Sequence, residues 1–318
     1  MLHRMKISWF LVGSISCGAG AALGQVYPIK PIRIVTAEPG GGLDFAGRLI
    51  AQGLTSNLGQ QVIVDNRGPI AAEIVAKSLP DGYTLLFYGS PIWLAPFLRD
   101  RVTYDPVRDF APITLAVSLP NVLVLHPSIP VSNLKELIAL AKAKPGELNY
   151  SSGPAGSSNH LAVELFKSMA GVNVVRIPYK GAGPALNALI GGQVQLMFPN
   201  AGAVGPHVKS GRLRALAVTS AQPSAIAPEL PTMAASGLPG YESVSPLGIF
   251  ASAKTPTAII DRLNHEIVRV LATAAVKEKF FNMGIETVGS SPGQFAAVVK
   301  ADMATWGKVI KDAGIREE

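Results

Sequence analysis

Short β-rich apolar runs alternate along this chain with segments whose apolar residues recur every three or four positions. Runs of the first kind at residues 32–37, 61–65, 83–88, 121–126 and 213–219 read as strands. The segments at 43–58 and 71–79 read as helices, as does the stretch that Ser132 caps and Pro145-Gly146 stops. The tail reads as three helices, 257–272, 276–283 and 292–313, with Ser291 capping the last. Strands and helices in alternation predict an α/β protein with largely parallel sheets. The stretch at 219–241, rich in Pro, Ser, Ala and Gly, and the one around 120–130 are the expected crossings between two domains. Two crossings make the first domain discontinuous, with the C-terminal helices returning to the N-terminal sheet. Phe110, Phe166, Phe250 and the pair Phe280-Phe281 fall on apolar faces and are expected in the core, and Trp306 in the core or packing between lobes.

Three glycine-rich stretches stand where a strand gives way to a helix. They are Pro39-Gly40-Gly41-Gly42 with Asp44, Gly153 through Gly156 with Ser157, Ser158 and His160, and Tyr179-Lys180-Gly181-Ala182. Each brings bare backbone N–H groups to the positive end of a helix, where an anion is stabilised. Each also has a plainer reading. Gly40–Gly42 would serve as a tight turn, and Asp44 reads as an organiser of its own helix start. Ser157 or Ser158 would cap a helix while His160 faces solvent. Lys180 would be a solvated strand end. On the functional reading the serine hydroxyls and backbone N–H groups donate to a carboxylate with His160 behind them, and Gly181 and Ala182 contribute more than the Lys180 charge.

Charge and composition narrow the field. The chain of 318 residues carries a formal net charge of +7. Its basic residues are scattered without a block or interleaved aromatics, which argues against nucleic acid and for anionic solutes. His3, Arg4 and Lys6, an apolar run at 7–15 and small residues up to Gly24 read as an export signal cut near Gly24. That run is too short for a membrane span of about 20 residues. Cys17, the only cysteine, lies inside the signal, and Ser14-Ile15-Ser16 ahead of it lacks the leucine of a lipoprotein signal. Export would leave roughly 290 residues, enough for two domains of about 100–200 each, with no cysteine for a disulfide or thiolate chemistry.

An ordered set of short motifs then identifies a resemblance. It comprises Tyr27-Pro28, Lys30-Pro31-Ile32, Pro39-Gly40-Gly41-Gly42 with Asp44, Leu58-Gly59-Gln60, Asp65-Asn66-Arg67 and Pro80-Asp81-Gly82-Tyr83-Thr84-Leu85. Tyr104-Asp105-Pro106, Asp109-Phe110, Pro178-Tyr179-Lys180-Gly181, Ala215 to Thr219 and Pro231-Thr232 follow. Together they resemble the extracytoplasmic solute-binding proteins of tripartite tricarboxylate transporters, the Bug or TctC family. The resemblance implies a type II periplasmic binding protein fold, two α/β lobes joined by crossover strands around a ligand cleft. It implies residues 25–122 and 244–318 for the first lobe and 123–243 for the second. It further implies a periplasmic monomer, without cofactor, that takes a small di- or tricarboxylate or related anion to a large and a small permease subunit. The alternative is a solute sensor docking on a membrane sensor kinase. Ser90 and Asn200 join the glycine stretches as ligand-binding candidates. Asn200 stands where the family often has an aspartate. Other departures are the short Arg67-Gly68-Pro69-Ile70-Ala71 loop, Ser245-Pro246-Leu247-Gly248 in place of an aromatic, and a bulky Trp93, all expected to reshape the cleft.

Catalysis is not expected. No GxSxG elbow occurs, and His160 has no acid partner that the sequence names. His126, His207 and His265 stand alone, without the spacing of a metal site.

Overall fold

The computed structural model of the chain describes residues 27–39 and 42–317. The expected signal at 1–24, its cut near Gly24 and Cys17 lie outside the described residues, as do Gly40 and Gly41.

The chain begins with β1 (Ile32–Thr36), α1 (Gly42–Leu58), β2 (Val62–Asn66), α2 (Ala71–Ala76), β3 (Thr84–Gly89), α3 (Pro91–Leu98) and β4 (Phe110–Pro120). It continues with β5 (Val122–Leu125), α4 (Leu134–Ala143), β6 (Asn149–Ser152), α5 (Ser158–Ala170), β7 (Val175–Pro178) and α6 (Ala182–Ile190). β8 (Leu196–Met197), α7 (Ala201–Lys209) and β9 (Arg214–Val218) complete that region. β10 (Val244–Ser252), α8 (Thr257–Ala272), α9 (Ala274–Asn282), β11 (Glu286–Thr287) and α10 (Pro292–Asp312) close the chain. One sheet has the order β11-β4-β10-β3-β1-β2 and the other β7-β6-β8-β5-β9. The first draws strands from both ends of the chain, the second from the middle.

Both sheets are mixed, which corrects the expectation of largely parallel ones. β1 is parallel to β2 and β3, and β6 to β7 and β8. β10 is antiparallel to β3 and β4, β11 to β4, and β5 to β8 and β9. The reason is the crossing. β4 carries the chain out of the first sheet and β10 brings it back alongside, so the two run in opposite directions.

A knot of hydrogen bonds ties the crossings together. Asn121, fully buried between β4 and β5, donates its N–H to Thr219 Oγ1 at 2.9 Å, and Thr219 N–H donates to the Asn121 carbonyl at 3.0 Å. The Thr219 hydroxyl also faces the Ser243 carbonyl, and Ser243 N–H returns to the Thr219 carbonyl at 2.9 Å. Buried backbone groups must find partners, and here those partners sit on both crossing segments.

Several local expectations change. Asn133, not Ser132, caps α4: its Oδ1 accepts the Glu136 N–H at 3.0 Å, while Glu136 reaches back to the Ser132 N–H and hydroxyl. Ser291 does cap α10, in a reciprocal box with Gln294. Phe280 is fully buried but Phe281 is 51 % exposed, because successive helical positions point about 100° apart and only one of the pair can face the sheet. The short loop after Arg67 closes as a 3-10 turn, Gly68–Ile70, that runs directly into α2. Trp93 does not reshape the cleft. It is buried in the first lobe against Phe250 and Phe295. The apolar cluster containing these rings continues into the second lobe through Tyr150, Phe166 and Phe198.

Candidate functional site

Three helix starts converge on one cavity of about 260 Å³ between the lobes. Leu43 brings the first turn of α1, and Gly89, Ser90 and Pro91 bring the start of α3. From the second lobe, Gly156, Ser157, Ser158 and Leu161 bring the start of α5. Ser243, just ahead of the crossover strand β10, and Val244, Ser245 and Leu247 within it add to the wall, and Trp306 of α10 completes it. No ionisable side chain stands among these lining residues.

The α5 start is built to leave its donors free. Ser157, the N-cap, makes no capping bond; its hydroxyl turns instead to Pro154 O and Asn159 Oδ1, each at 2.7 Å. The first N–H groups of α5 are therefore left without a side-chain acceptor, which is the condition for anion binding at a helix end. Gly156 holds φ at +74°, a left-handed turn that glycine takes without steric cost, and a Cβ there would stand 2.7 Å from Leu98 Cδ1 of α3. The two lobes touch at that point.

His160 lies behind the serines and is buried rather than solvent-facing. Its Nδ1 accepts the Gly156 N–H at 3.1 Å, and its ring stacks on Tyr150. Burial, then the positive charge of Arg176, push its pKa down to about 4, so the ring is neutral. Tyr150 donates to Glu164 Oε1 at 2.5 Å, and Lys167 pairs with the same oxygen at 2.8 Å. Arg176 braces the loop from the other side, donating to Ser152 Oγ at 2.7 Å and to the Gly153 carbonyl at 2.8 Å.

On the first lobe a half-buried carboxylate anchors the wall. Asp302 of α10 accepts Trp93 Nε1 at 2.9 Å, Trp306 Nε1 at 3.2 Å and the Ser90 hydroxyl at 3.4 Å. Burial raises its pKa, against the pull of those three donors. Trp306 and Ser90 are thereby held in place where they face the cavity.

The remaining candidates stand apart from this cavity. Gly42 begins α1 and is exposed, next to the undescribed Gly40 and Gly41. Asp44 is buried, accepts Asn66 Nδ2 at 3.0 Å and pairs with Arg48 at 2.9 Å, which makes it an organiser of the α1 start. Tyr179 donates its N–H to the Ser152 carbonyl, so the Tyr179–Ala182 turn lies beside the end of β6. Lys180 and Ala182 there are exposed, and Gly181 caps α6 with extended backbone, yet none of the four lines the cavity. Asn200 precedes α7 and donates to Asn121 Oδ1 at 2.9 Å, placing it at the crossing. The structure thus brings the α1 and α5 starts together, sets the α6 start to one side and adds α3.

Sequence reasoning missed α3 as a helix, although Ser90 at its start was a candidate, and missed Arg176, Ser243, Asp302 and the cavity position of Trp306; it read Ser245 only as part of a segment that reshapes the cleft. The α3 segment PIWLAPFL is apolar throughout and shows no helical face, whereas Ser243 and Ser245 were visible as polar positions two apart at a strand entrance. Among the described residues no group of three or more His, Cys, Asp or Glu is placed to hold a metal ion. No helix there is long and apolar enough to cross a membrane.

Comparison with known proteins adds the relationship. The family described as the tripartite tricarboxylate transporter family receptor matches residues 46–315. BugT of Bordetella pertussis is 36 % identical over 316 residues, covering 96 % of this chain and 97 % of the relative. The structure of R. palustris Rpa4515 with adipate superposes with a TM-score of 0.76 at 38 % identity, over 91 % of this chain and 99 % of that one. MatC from Rhodopseudomonas palustris with bound malate gives 0.72 at 27 % identity, over 89 % and 100 %.

Proposed function

The chain belongs to the tripartite tricarboxylate transporter receptor family, a family of solute-binding receptors rather than enzymes, and on that premise we propose that it captures a small carboxylate between its lobes and hands it to a membrane permease. The observation that carries this reading is the convergence of three helix starts, uncapped at α3 and α5, on one cavity without an ionisable side chain. Neutral peptide dipoles hold an anion and still release it, whereas a buried ion pair is costly to break on one side. The adipate and malate bound by the two relatives are small carboxylates, in keeping with this chemistry.

In this reading the protein works as a periplasmic monomer, exported by the signal ahead of Gln25, and needs no cofactor. The lobes are residues 25–122 with 244–318, and 123–243. Solute binding is assigned to the α1 start, with the Gly40–Gly42 stretch ahead of it, and from the other lobe to Ser157–Ser158; Ser90 sits at the side of the solute, and Tyr179–Ala182 forms an outer rim. His160, Asp44 and Asn200 act through the turns they hold. Closure follows from one solute touching both lobes and so favouring the closed state. The partners are the large and small permease subunits.

A thermal-shift screen of the purified full-length mature chain against mono-, di- and tricarboxylates tests the reading. At a hundredfold excess over Kd, linkage adds about 2.7 kcal/mol, a rise of several degrees. Failure of every carboxylate to raise the melting temperature at millimolar concentration would remove the proposal.

A further inference from the structure

Strand β7 holds a charge that the carboxylate reading leaves unused. Arg176 lies on this edge strand of the second sheet, in register with Tyr150 of β6, and is half-buried. Its guanidinium bonds only neutral acceptors, Nε to Ser152 Oγ at 2.7 Å and Nη2 to the Gly153 carbonyl at 2.8 Å. Among the described residues it forms no ion pair. Glu164 is taken already, by Lys167 at 2.8 Å and by the Tyr150 hydroxyl. The charged side chains that act on the His160 ring are two cations, Arg176 and Lys167, and one anion, Glu164. One positive charge is left over behind the loop.

That loop leads into the cavity. A Cβ on Gly153 would stand 3.4 Å from Ser157 Oγ, and Gly156, Ser157 and Ser158 line the wall. A helix start is where further positive charge is least welcome, because the peptide dipoles already place about half a unit charge there. An unpaired guanidinium beside the uncapped start of α5 therefore raises the energy of the solute-free protein, and an anion seated at that start lowers it. No lining side chain is ionisable, so the charge acts through the loop and not by contact.

Resting on the carboxylate reading of the same cavity, we propose that Arg176 is a positioning residue that makes the site prefer ionised solutes to neutral ones. Its two hydrogen bonds fix the turn that opens α5, and its charge serves the bound carboxylate as a counter-ion at a distance. Peptide N–H groups alone would also donate to a neutral carbonyl oxygen; the guanidinium adds attraction that only an anion gains. Because the two groups never touch, the solute leaves without breaking a contact ion pair, which would be costly. At an effective dielectric of about 20, a unit charge acting across a loop changes affinity by about tenfold.

The test is calorimetric titration of the full mature chain with hexanoate, benzoate, adipate, malate and citrate, repeated on Arg176→Lys and Arg176→Gln. Lysine keeps the charge and loses the fork; glutamine keeps a donor and loses the charge. In about 20 mM NaCl, Arg176→Gln should weaken the tightest-binding of the five about tenfold and Arg176→Lys about threefold or less. In about 500 mM NaCl, where the screening length falls to about 4 Å, the gap between the variants should close to about twofold. Equal losses in the two variants mean that the residue only braces the loop. That result, a gap indifferent to salt, or an affinity of Arg176→Gln within twofold of the native chain overturns this inference while the carboxylate reading stands. Binding of none of the five to the native chain overturns the carboxylate reading itself, and the inference with it.

Discussion

Acid is expected to loosen this protein at His160. The folded ring is held at about 4 by burial first and by Arg176 and Lys167 next, against the opposing pull of Glu164, and the unfolded ring titrates near 6.5. Between those values the unfolded chain binds a proton that the folded chain refuses. Stability is therefore complete above about pH 6.5 and falls as the pH drops toward 4. Relative to pH 7, the loss is about 2 kcal/mol at pH 5 and about 3 kcal/mol at pH 4, from 1.36 kcal/mol for each pKa unit. The mechanism is local. Nδ1 accepts the Gly156 N–H at 3.1 Å, and protonation turns that acceptor into a second donor. Urea unfolding from pH 7 to pH 4.5, on the native chain and on His160→Gln, measures the effect. Glutamine keeps an acceptor for Gly156 but does not titrate, so the native chain should lose about 2 kcal/mol more than the variant by pH 5. Solute affinity should decline in the same window, because Gly156 lines the cavity. Parallel stability profiles for the two proteins would refute the reasoning.

Two further substitutions probe the lobe contact and the crossing. Gly156→Ala forces a side chain into the left-handed region, costing about 1–2 kcal/mol in any lobe arrangement, and sets a Cβ 2.7 Å from Leu98 Cδ1 only when the lobes meet. Solute affinity should fall beyond the stability loss, and adding Leu98→Ala should recover part of it; purely additive effects in calorimetric titration would dismiss the contact. Thr219→Val keeps the shape but strands the buried Asn121 N–H, so denaturation should show a loss of about 1–3 kcal/mol. An unchanged midpoint would mean the crossing knot does not stabilise the fold.

Much of this architecture is written in local pattern. α1, β2, α4, α8 and α10 each carry an alternation or helical periodicity close to their observed bounds, because one face of each is wet, and β1, buried along nearly all its length, reads as a short β-branched apolar run. The Ser291 box and the breaker at Pro145-Gly146 are likewise local chemistry, and the glycine stretches at strand ends foretold where helices begin. The whole-chain motif order carried the family. β4 and β10, by contrast, are buried along most of their length, so neither shows the polar alternation that marks a half-exposed strand. The crossings near 120–130 and 219–241 were legible, but with the β4 and β10 strands themselves hidden, their antiparallel pairing stayed hidden too. Tertiary structure alone decided which helix starts share a cavity: α3 in, α6 aside. It also turned Phe281 outward, set His160 behind Gly156, sent Trp93 to Asp302 and left Ser245 without a partner. Residues far apart in the chain settle each of those outcomes, and a sequence records what a residue can bond to, not which distant neighbour folding brings within reach.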